Sequence, residues 1–255
     1  MSTYLWQNFL KDSSIIAFIS DAIQKLYHTS GADVLVEIWP WKWAITKKIK
    51  QISSSFFVVE KDITMKDHLM SIGLEESQII FWDVLETDIV WLLYNIWKTE
   101  NQALVVWNLP YYITSPIFKH LFWKENPELL GWFFMIQDEV GQKIKSDAKK
   151  KSYLRWLVNR AYRVDYVKMV PAKCFSPAPK VKSCLVRFTK KDKTEAIDPN
   201  KLEEFLNLFS PYSRKTLWKI SKMNEKKWKT WFSIPSELQG KRLEELDWES
   251  LRVIL

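Results

Sequence analysis

The stretch VLVEIWPWKWA at positions 34–44 decides the fold of this chain. Its first five residues form a short, mostly apolar run that is typical of a buried strand, and a helical pattern begins at Ala44. A connection of this kind normally carries glycine, because the backbone must turn sharply and approach a ligand closely. Here Trp stands at positions 39, 41 and 43, where its side chain occupies the space that a ligand needs.

Outward from this stretch, strand-type runs alternate with helical patterns as far as residue 136. The strand-type runs are at 34–38, 56–60, 78–81, 103–106 and 133–136, and the helical patterns include 13–27, 44–50 and 115–122. Strands separated by helices predict an α/β fold with a mostly parallel sheet. Two later strand-type runs, at 162–170 and 183–189, are expected to pair as an antiparallel addition.

The last quarter of the chain has a different pattern. The composition turns hydrophilic from Lys190, and the residues beyond it are helical in pattern at 201–209, 214–222 and 242–255. We therefore expect two domains, an α/β domain at 1–189 and a small all-α domain at 190–255, with a hinge near 190–199.

The composition is that of an ordinary globular protein. Of the 255 residues, 47% are apolar and 27% are charged, which excludes a disordered or fibrous chain. No apolar run approaches the roughly 20 residues of a membrane span, and no secretory signal is expected at the N-terminus. Cys174 and Cys184 lack the spacing of a metal or redox site, so we expect buried thiols, no metal and a reduced cytoplasmic compartment.

The positive charge is concentrated in one segment. The whole chain carries a formal net charge of +8, and residues 141–187 contain thirteen Lys or Arg against two Asp. A local basic excess of this size indicates a polyanionic partner such as nucleic acid. A solvated lysine-rich face is the alternative.

The counts of glycine and tryptophan are both unusual. The chain has 5 Gly and 15 Trp, so glycine makes up only about 2% of it against a usual share of about 7%. Several Trp stand where the backbone calls for glycine, including Trp82 before Asp83 and Trp107 before Asn108. We predict that the gene specifies glycine with the codon UGA and that these positions carry glycine in the organism. The alternative is a Trp-rich protein whose indoles serve as core or stacking residues.

With glycine at those positions, residues 37–44 read EIGPGKGA, which is similar to the S-adenosylmethionine-binding loop of Rossmann-like class I methyltransferases. Nearly the whole chain then resembles the ribosomal RNA adenine dimethyltransferase family. The most specific motif is NLPYYITSP at 108–116. The others are QNFL at 7–10, VP at 170–171 with FSPAPKV at 175–181, and RKTL at 214–217, all in the family's order.

The resemblance implies the residues that act on the target base. The side-chain oxygen of Asn108 and a backbone carbonyl of Leu109 or Pro110 would accept both N–H bonds of an adenine amine and aim its lone pair at the methyl group. Pro110 stiffens that backbone, and Tyr111 offers a face on which a flipped base can stack. Phe175 would be the opposing face. Catalysis would rest on positioning, without a general base or a metal. A turn with a packed Tyr is the alternative for this motif.

The resemblance also implies a cofactor site for S-adenosylmethionine. Its expected residues are Asn8, Leu10, Glu37, Trp39, Trp41, Glu60, Asp83 and Asn108. Glu37 and the loop after it would contact the amino-acid end. Glu60 would accept the ribose hydroxyls and Asp83 the adenine amine. The alternative for Glu60 is an ordinary charge at a strand end, and the alternative for Asp83 is a helix N-cap.

A track for RNA phosphates is expected on the basic surface. The residues assigned to it are Lys149, Lys150, Lys151, Arg155, Lys180, Arg214 and Lys215, the last two on a helix of the small domain. A Lys149–Lys151 run that only faces solvent is the alternative.

The activity implied is the transfer of two methyl groups to N6 of each of two adjacent adenosines near the 3′ end of small-subunit ribosomal RNA. The substrate would be a pre-assembled 30S-type particle, and the protein a cytoplasmic monomer. One alternative is a large-subunit adenine methyltransferase of the macrolide-resistance type. The 111–116 and 175–181 segments favour the small-subunit branch. The other alternative is a non-catalytic RNA-binding assembly factor, if the Trp residues are real.

Overall fold

A computed structural model describes residues 9–40, 44–86, 91, 94, 102–108, 114–122, 129–149, 152–195, 197–224 and 232–255. Within these ranges the strands are β1 (Phe9–Leu10), β2 (Val34–Ile38), β3 (Phe56–Glu60), β4 (Ile79–Phe81), β5 (Ala103–Asn108), β6 (Leu129–Gln137), β7 (Tyr162–Val170), β8 (Phe175–Ser176) and β9 (Ser183–Lys190). The predicted strand-type runs are confirmed, with β6 longer than the sequence indicated.

Seven of these strands form one twisted α/β sheet in the order β4-β3-β2-β5-β6-β9-β7. The five strands from β4 to β6 are parallel, and β9 is antiparallel to both β6 and β7. The prediction of a mostly parallel sheet with an antiparallel addition is therefore confirmed. The chain order reverses between β2 and β5, which is the point where open α/β sheets bind ligands.

The described helices are α1 (Ser13–Ser30), α2 (Thr46–Ile49), α3 (Lys66–Ser71), α4 (Thr114–Phe122), α5 (Asp138–Ile144), α6 (Tyr153–Asn159), α7 (Pro199–Phe209), α8 (Leu217–Asn224) and α9 (Trp248–Ile254). Local chemistry sets the ends of the longest one. Asp12 Oδ1 accepts the backbone N–H groups of Ser14 and Ile15 at 3.0 and 3.1 Å, and Gly31 ends α1 at a φ of 73°. None of the helices in the described ranges is long and apolar enough to cross a membrane.

Apolar clusters cover the two faces of the sheet. Alternate residues of a strand point to opposite faces, so Val34, Val36 and Ile38 of β2 join one cluster and Leu35 joins the other. The first cluster is covered by α4, α5 and α6, and the second by α1, α2 and α3. Because the five strands from β4 to β6 are parallel, their carboxyl ends lie along one edge of this three-layer arrangement.

A third apolar cluster lies in the C-terminal helical segment. It contains residues of α7, α8 and α9 together with Trp156 of α6. Tyr153, at the start of α6, packs against both this cluster and the first sheet cluster. Its hydroxyl donates to Glu203 of α7 at 3.4 Å, and Lys119 of α4 lies 3.8 Å from the same carboxylate. Helix α6 therefore packs against both parts of the molecule.

Two helices of this segment begin later than the sequence predicted, so the predicted starts at 214 and 242 were wrong. Arg214 and Lys215 lie in a turn before α8, because the backbone N–H of Lys215 donates to Tyr212 and that of Leu217 to Lys241, at 2.7 and 2.8 Å. The helix expected at 242–255 begins only at Trp248, after a short 3₁₀ turn at Leu243–Glu245. Asp247 caps it by accepting the N–H of Ser250.

Candidate active site

The carboxyl ends of β2, β3 and β5 meet at the point where the strand order reverses. Ile38 of β2 pairs with Val59 of β3 on one side and with Trp107 of β5 on the other. The N–H of Trp39 donates to the carbonyl of Val59 at 2.8 Å, so β2 and β3 end at the same level of the sheet. The sequence-predicted residues that this edge brings together are Glu37, Trp39, Glu60, Asp83 and Asn108, the last being the final residue of β5.

Glu37 is a buried carboxyl group near the end of β2. It is 5% exposed, and its Oε2 has no hydrogen-bond partner among the described residues. Burial raises the pKa of Glu37 to about 8; the nearby Thr46 hydroxyl opposes this and the charge of Glu60 adds to it. A buried acceptor without a partner fits a site that receives a donor from a ligand.

We expect Glu37→Gln to change how stability depends on pH. The folded-state pKa of Glu37, about 8, lies above its ordinary value of 4.5, so the folded protein holds a proton that the unfolded chain releases between these values. The free energy of unfolding should therefore fall as pH rises from 5 to 8. The loss should reach a few kcal/mol, since one pKa unit corresponds to about 1.4 kcal/mol.

Urea unfolding of the parent protein and of Glu37→Gln at pH 5 and pH 8 measures this effect. The variant should gain stability relative to the parent as pH rises. Glu86→Gln, at an exposed position, serves as the matched control. An advantage of Glu37→Gln that is equal at both pH values would contradict a buried, protonated Glu37.

Glu60 is the carboxylate that closes β3. It is 4% exposed, and its Oε1 accepts the backbone N–H groups of Lys61 and Asp62, both at 2.8 Å. Burial raises the pKa of Glu60 despite these hydrogen bonds. The neighbouring Asp62 instead accepts the N–H of Thr64 at 3.0 Å and caps a short 3₁₀ turn. Of the two acidic side chains here, Glu60 is the one placed at the sheet edge.

Asp83 follows β4 and combines two roles. Its Oδ1 accepts the N–H of Leu85 at 3.0 Å within a turn at residues 84–86. Its Oδ2 pairs with Nζ of Lys61 at 2.5 Å. Burial works against ionisation, but the hydrogen bond from Lys61 and that of Leu85 hold the pKa of Asp83 below its ordinary value. The sequence placed Lys61 beside Glu60 but gave no sign that it reaches the next strand.

Trp39 and Trp107 do not suit a site that needs bare backbone. Trp39 has a φ of 61°, in the left-handed region that favours glycine and strains a bulky residue. Trp107 is 1% exposed, and its indole N–H has no hydrogen-bond partner in the described part of the chain. The two rings lie 6.3 Å apart, centroid to centroid, across the ends of β2 and β5. The carboxylates at this edge thus fit a bound S-adenosylmethionine, and the two indoles do not.

The other described Trp residues have mixed surroundings. Trp132 is fully buried in β6 and packs against Phe122 at 5.4 Å, although its indole N–H finds no partner within the described ranges. Trp82 and Trp218 are 44% and 46% exposed. A core role therefore suits Trp132 in part, whereas Trp39 is the one Trp within the described ranges whose backbone itself favours glycine.

Phe175 and Leu10 lie together at the same edge as part of a small second sheet. Phe175 is 2% exposed, and Leu10 is half-buried against the same apolar cluster. As placed, Phe175 does not present an open face for a base. Seven more residues were expected to contact cofactor, base or RNA, and they lie outside the described residues. They are Asn8, Trp41, Leu109, Pro110, Tyr111, Lys150 and Lys151.

The basic residues divide into exposed and structural ones. Lys149, Lys180, Arg214 and Lys215 are exposed, as a phosphate track requires. Arg155 is half-buried, and its guanidinium donates to the carbonyls of Lys145, at 3.1 Å, and Ser146. It thus ties the end of α5 to α6, a structural role that the residue type did not reveal. Among the described residues no group of His, Cys, Asp or Glu could hold a metal ion.

Comparisons with known proteins agree with this arrangement. The model of the family described as "Ribosomal RNA adenine dimethylase" matches residues 2–248. A "Ribosomal RNA small subunit methyltransferase A" of Hydrogenobaculum is 28% identical over 251 residues, spanning 97% of this chain and 89% of that protein. A protein of the same name from Francisella tularensis is 33% identical over 220 residues, spanning 84% and 80%.

A solved structure shows the same fold. The crystal structure of a dimethyladenosine transferase from Plasmodium falciparum superimposes with a TM-score of 0.72. It is 20% identical in sequence, and the match covers 97% of this chain and 96% of that one.

Proposed function

The chain belongs to the ribosomal RNA adenine dimethylase family, and from this premise we propose that it methylates two adjacent adenosines near the 3′ end of small-subunit ribosomal RNA. The observation that carries the proposal is the family match over residues 2–248, with Asn108 of its most specific motif at the strand-order reversal. The protein is thus a methyltransferase that uses S-adenosylmethionine. Both relatives described above are named for the small subunit, which supports this substrate over large-subunit RNA.

S-adenosylmethionine supplies a methyl group already activated by its sulfonium, so the chain's own residues bind and orient. We propose that Glu37 gives up its proton when the cofactor binds and receives the cationic amino group, because its buried Oε2 lacks a partner among the described residues. Glu60, held by two backbone N–H groups, would keep its other oxygen for the ribose hydroxyls. Asp83 would accept the adenine amine, with Lys61 maintaining its charge.

Asn108 and the residues after it would position the target base. Asn108 is the last residue of β5, so its backbone stands at the edge that holds the carboxylates. The side-chain oxygen of Asn108 and the carbonyl of Leu109 or Pro110 would accept the two N–H bonds of the adenine amine. Tyr111 would stack on the base, and Phe175 would do so only after leaving its buried position.

We further propose that positions 39, 41, 43 and 107 carry glycine in the working protein. Two observations support this: the φ of 61° at Trp39, and the contact of the Trp39 and Trp107 rings at the edge where the cofactor loop belongs. Glycine would relieve the backbone strain at position 39 and leave bare backbone beside the ligand.

The substrate is proposed to be a pre-assembled small-subunit particle, met in the cytoplasm by a monomer. Exposed Lys149, Lys180, Arg214 and Lys215 would contact phosphates, while Arg155 would act through its hold on α5. The division into a methyltransferase domain at 1–189 and a helical domain at 190–255 belongs to the same proposal.

The test is methylation of purified particles by the chain with glycine at positions 39, 41, 43 and 107. Unmethylated small subunits, large subunits and protein-free small-subunit RNA are each incubated with S-adenosylmethionine, and the RNA is digested for nucleoside mass spectrometry. We expect N6,N6-dimethyladenosine at two adjacent positions, in small subunits only. Methylation of large subunits would support the macrolide-resistance type. Particle binding without any methylation would support a non-catalytic assembly factor.

A further inference from the structure

Lys61 contacts two carboxylates of the candidate active site, one with each end of the residue. Its backbone N–H donates to Oε1 of Glu60 at 2.8 Å, and its Nζ pairs with Oδ2 of Asp83 at 2.5 Å. Glu60 closes β3, and Asp83 lies two residues beyond the end of β4. One residue therefore joins the carboxylate expected at the ribose to the carboxylate expected at the adenine ring.

The pairing of β3 with β4 brings these groups within reach of one lysine. Glu60 is opposite Phe81 in the parallel ladder, and the N–H of Trp82 donates to the carbonyl of Glu60 at 2.8 Å. Neighbouring strands lie about 4.8 Å apart, a gap that the flexible four-carbon stem of a lysine can cross. The ladder thus places the ammonium group of Lys61 at the carboxylate of Asp83.

Asp83 is held at both of its oxygens, yet its side chain is still 16% exposed. Its Oδ1 accepts the N–H of Leu85 at 3.0 Å, and its Oδ2 accepts from Lys61. Burial acts to raise the pKa of Asp83, but the hydrogen bonds from Lys61 and Leu85 and the charges of Lys61 and His120 hold it below its ordinary value. An ionised carboxylate has about four acceptor positions and no donor, so Asp83 keeps room for a donor from a ligand.

We propose that Lys61 is a positioning residue that holds Asp83 as a fixed acceptor, so that the cofactor site selects a 6-aminopurine over a 6-oxopurine. The inference rests on the proposed function, which assigns Asp83 to the adenine amine. An amine donates a hydrogen bond to an ionised carboxylate. The oxygen of a 6-oxopurine is repelled by it and leaves that acceptor position unpaired, which lowers affinity by about 10- to 100-fold.

The exposure of the two partners allows recognition to be tested apart from folding. The Lys61 side chain is 61% exposed, and ion pairs of exposed lysines contribute little to stability. Lys66 offers a matched control, because its Nζ pairs with Glu76 at the same distance of 2.5 Å. Glu76 precedes β4, so this second ion pair lies at the opposite end of that strand from Asp83.

The measurement is equilibrium dialysis of S-adenosylhomocysteine and of S-inosylhomocysteine, its 6-oxo counterpart, with the chain that has glycine at positions 39, 41, 43 and 107. We expect this parent to prefer S-adenosylhomocysteine by about 100-fold. Lys61→Met keeps the stem and removes the ammonium group, so it should weaken S-adenosylhomocysteine about tenfold and S-inosylhomocysteine less than about twofold. Lys61→Arg should restore most of the preference, and Lys66→Met should leave it unchanged.

A double-mutant cycle shows whether Lys61 acts through Asp83. In an Asp83→Asn background, Lys61→Met should change S-adenosylhomocysteine affinity by less than about twofold, because no carboxylate remains for the lysine to hold. A tenfold loss that persists in this background would overturn the inference, and so would an equal loss of both ligands or unchanged affinity in Lys61→Met alone. Failure of the parent to bind S-adenosylhomocysteine at all would instead overturn the proposed function, and the inference with it.

Discussion

The chain with glycine at positions 39, 41, 43 and 107 is expected to bind S-adenosylhomocysteine at least about 100-fold more tightly than the chain with Trp there. A bulky residue in the left-handed region, such as Trp39 at a φ of 61°, costs about 1–3 kcal/mol. The Trp39 and Trp107 rings also contact each other where the ligand needs backbone. The gain in affinity comes from removal of the steric blockage, since each tenfold change in affinity corresponds to about 1.4 kcal/mol. Relief of the strain at position 39, which is present without ligand, stabilises the fold instead.

Isothermal titration calorimetry of the two chains measures this difference, and Trp218→Gly is the matched control. Trp218 is 46% exposed and lies on α8, away from the sheet edge, so its replacement should leave cofactor affinity unchanged. Equal affinity of the Trp and glycine chains would show that the indoles are compatible with the cofactor. Mass spectrometry of the native peptide spanning residues 34–46 decides independently which residue the organism inserts.

Asn108→Ala is expected to lower kcat/KM for small-subunit methylation by about 10²–10³, the usual cost of removing one preorganised hydrogen-bonding group from a reacting centre. The variant loses the acceptor that orients the adenine amine toward the methyl donor. Single-turnover methylation of unmethylated particles measures the effect. Affinity for S-adenosylhomocysteine should change by less than about tenfold, because the other expected contacts to the cofactor come from different strands.

Asn108→Asp is the conservative partner of this variant. It keeps side-chain acceptor oxygens in nearly the same volume, so it should retain more activity than Asn108→Ala. Near-parental single-turnover rates in Asn108→Ala would exclude a role for this side chain in orienting the base. The orientation of the adenine amine would then have to come from the backbone carbonyls of the motif alone.

The sheet could be predicted because its signals are local. Each parallel strand is a short apolar run, and Glu37 and Glu60 could be placed at strand ends from their position in those runs. Contacts between distant segments could not be predicted. The ion pair of Lys61 with Asp83 and the hydrogen bonds of Arg155 to the end of α5 depend on tertiary contacts. Such contacts cannot be derived from counts of charged residues.

The small helical segment shows the same limit. The apolar spacing at 214–222 is helical, but the hydrogen bonds of Lys215 and Leu217 delay the start of α8, so Arg214 lies in a turn. Likewise, the burial of Phe175 follows from its pairing with Leu10 of β1, a residue 165 positions earlier in the chain. Pairing over such a separation leaves no periodic trace in either segment.

The position of α6 also bears on how the protein can be produced. Tyr153 packs against the sheet cluster and the C-terminal cluster at once, and its hydroxyl reaches Glu203. A recombinant fragment truncated at residue 189 would present the outer side of α6 to water as an adhesive apolar stripe. Expression trials that seek a minimal soluble catalyst should therefore retain the helices beyond residue 190, whether or not those helices touch RNA.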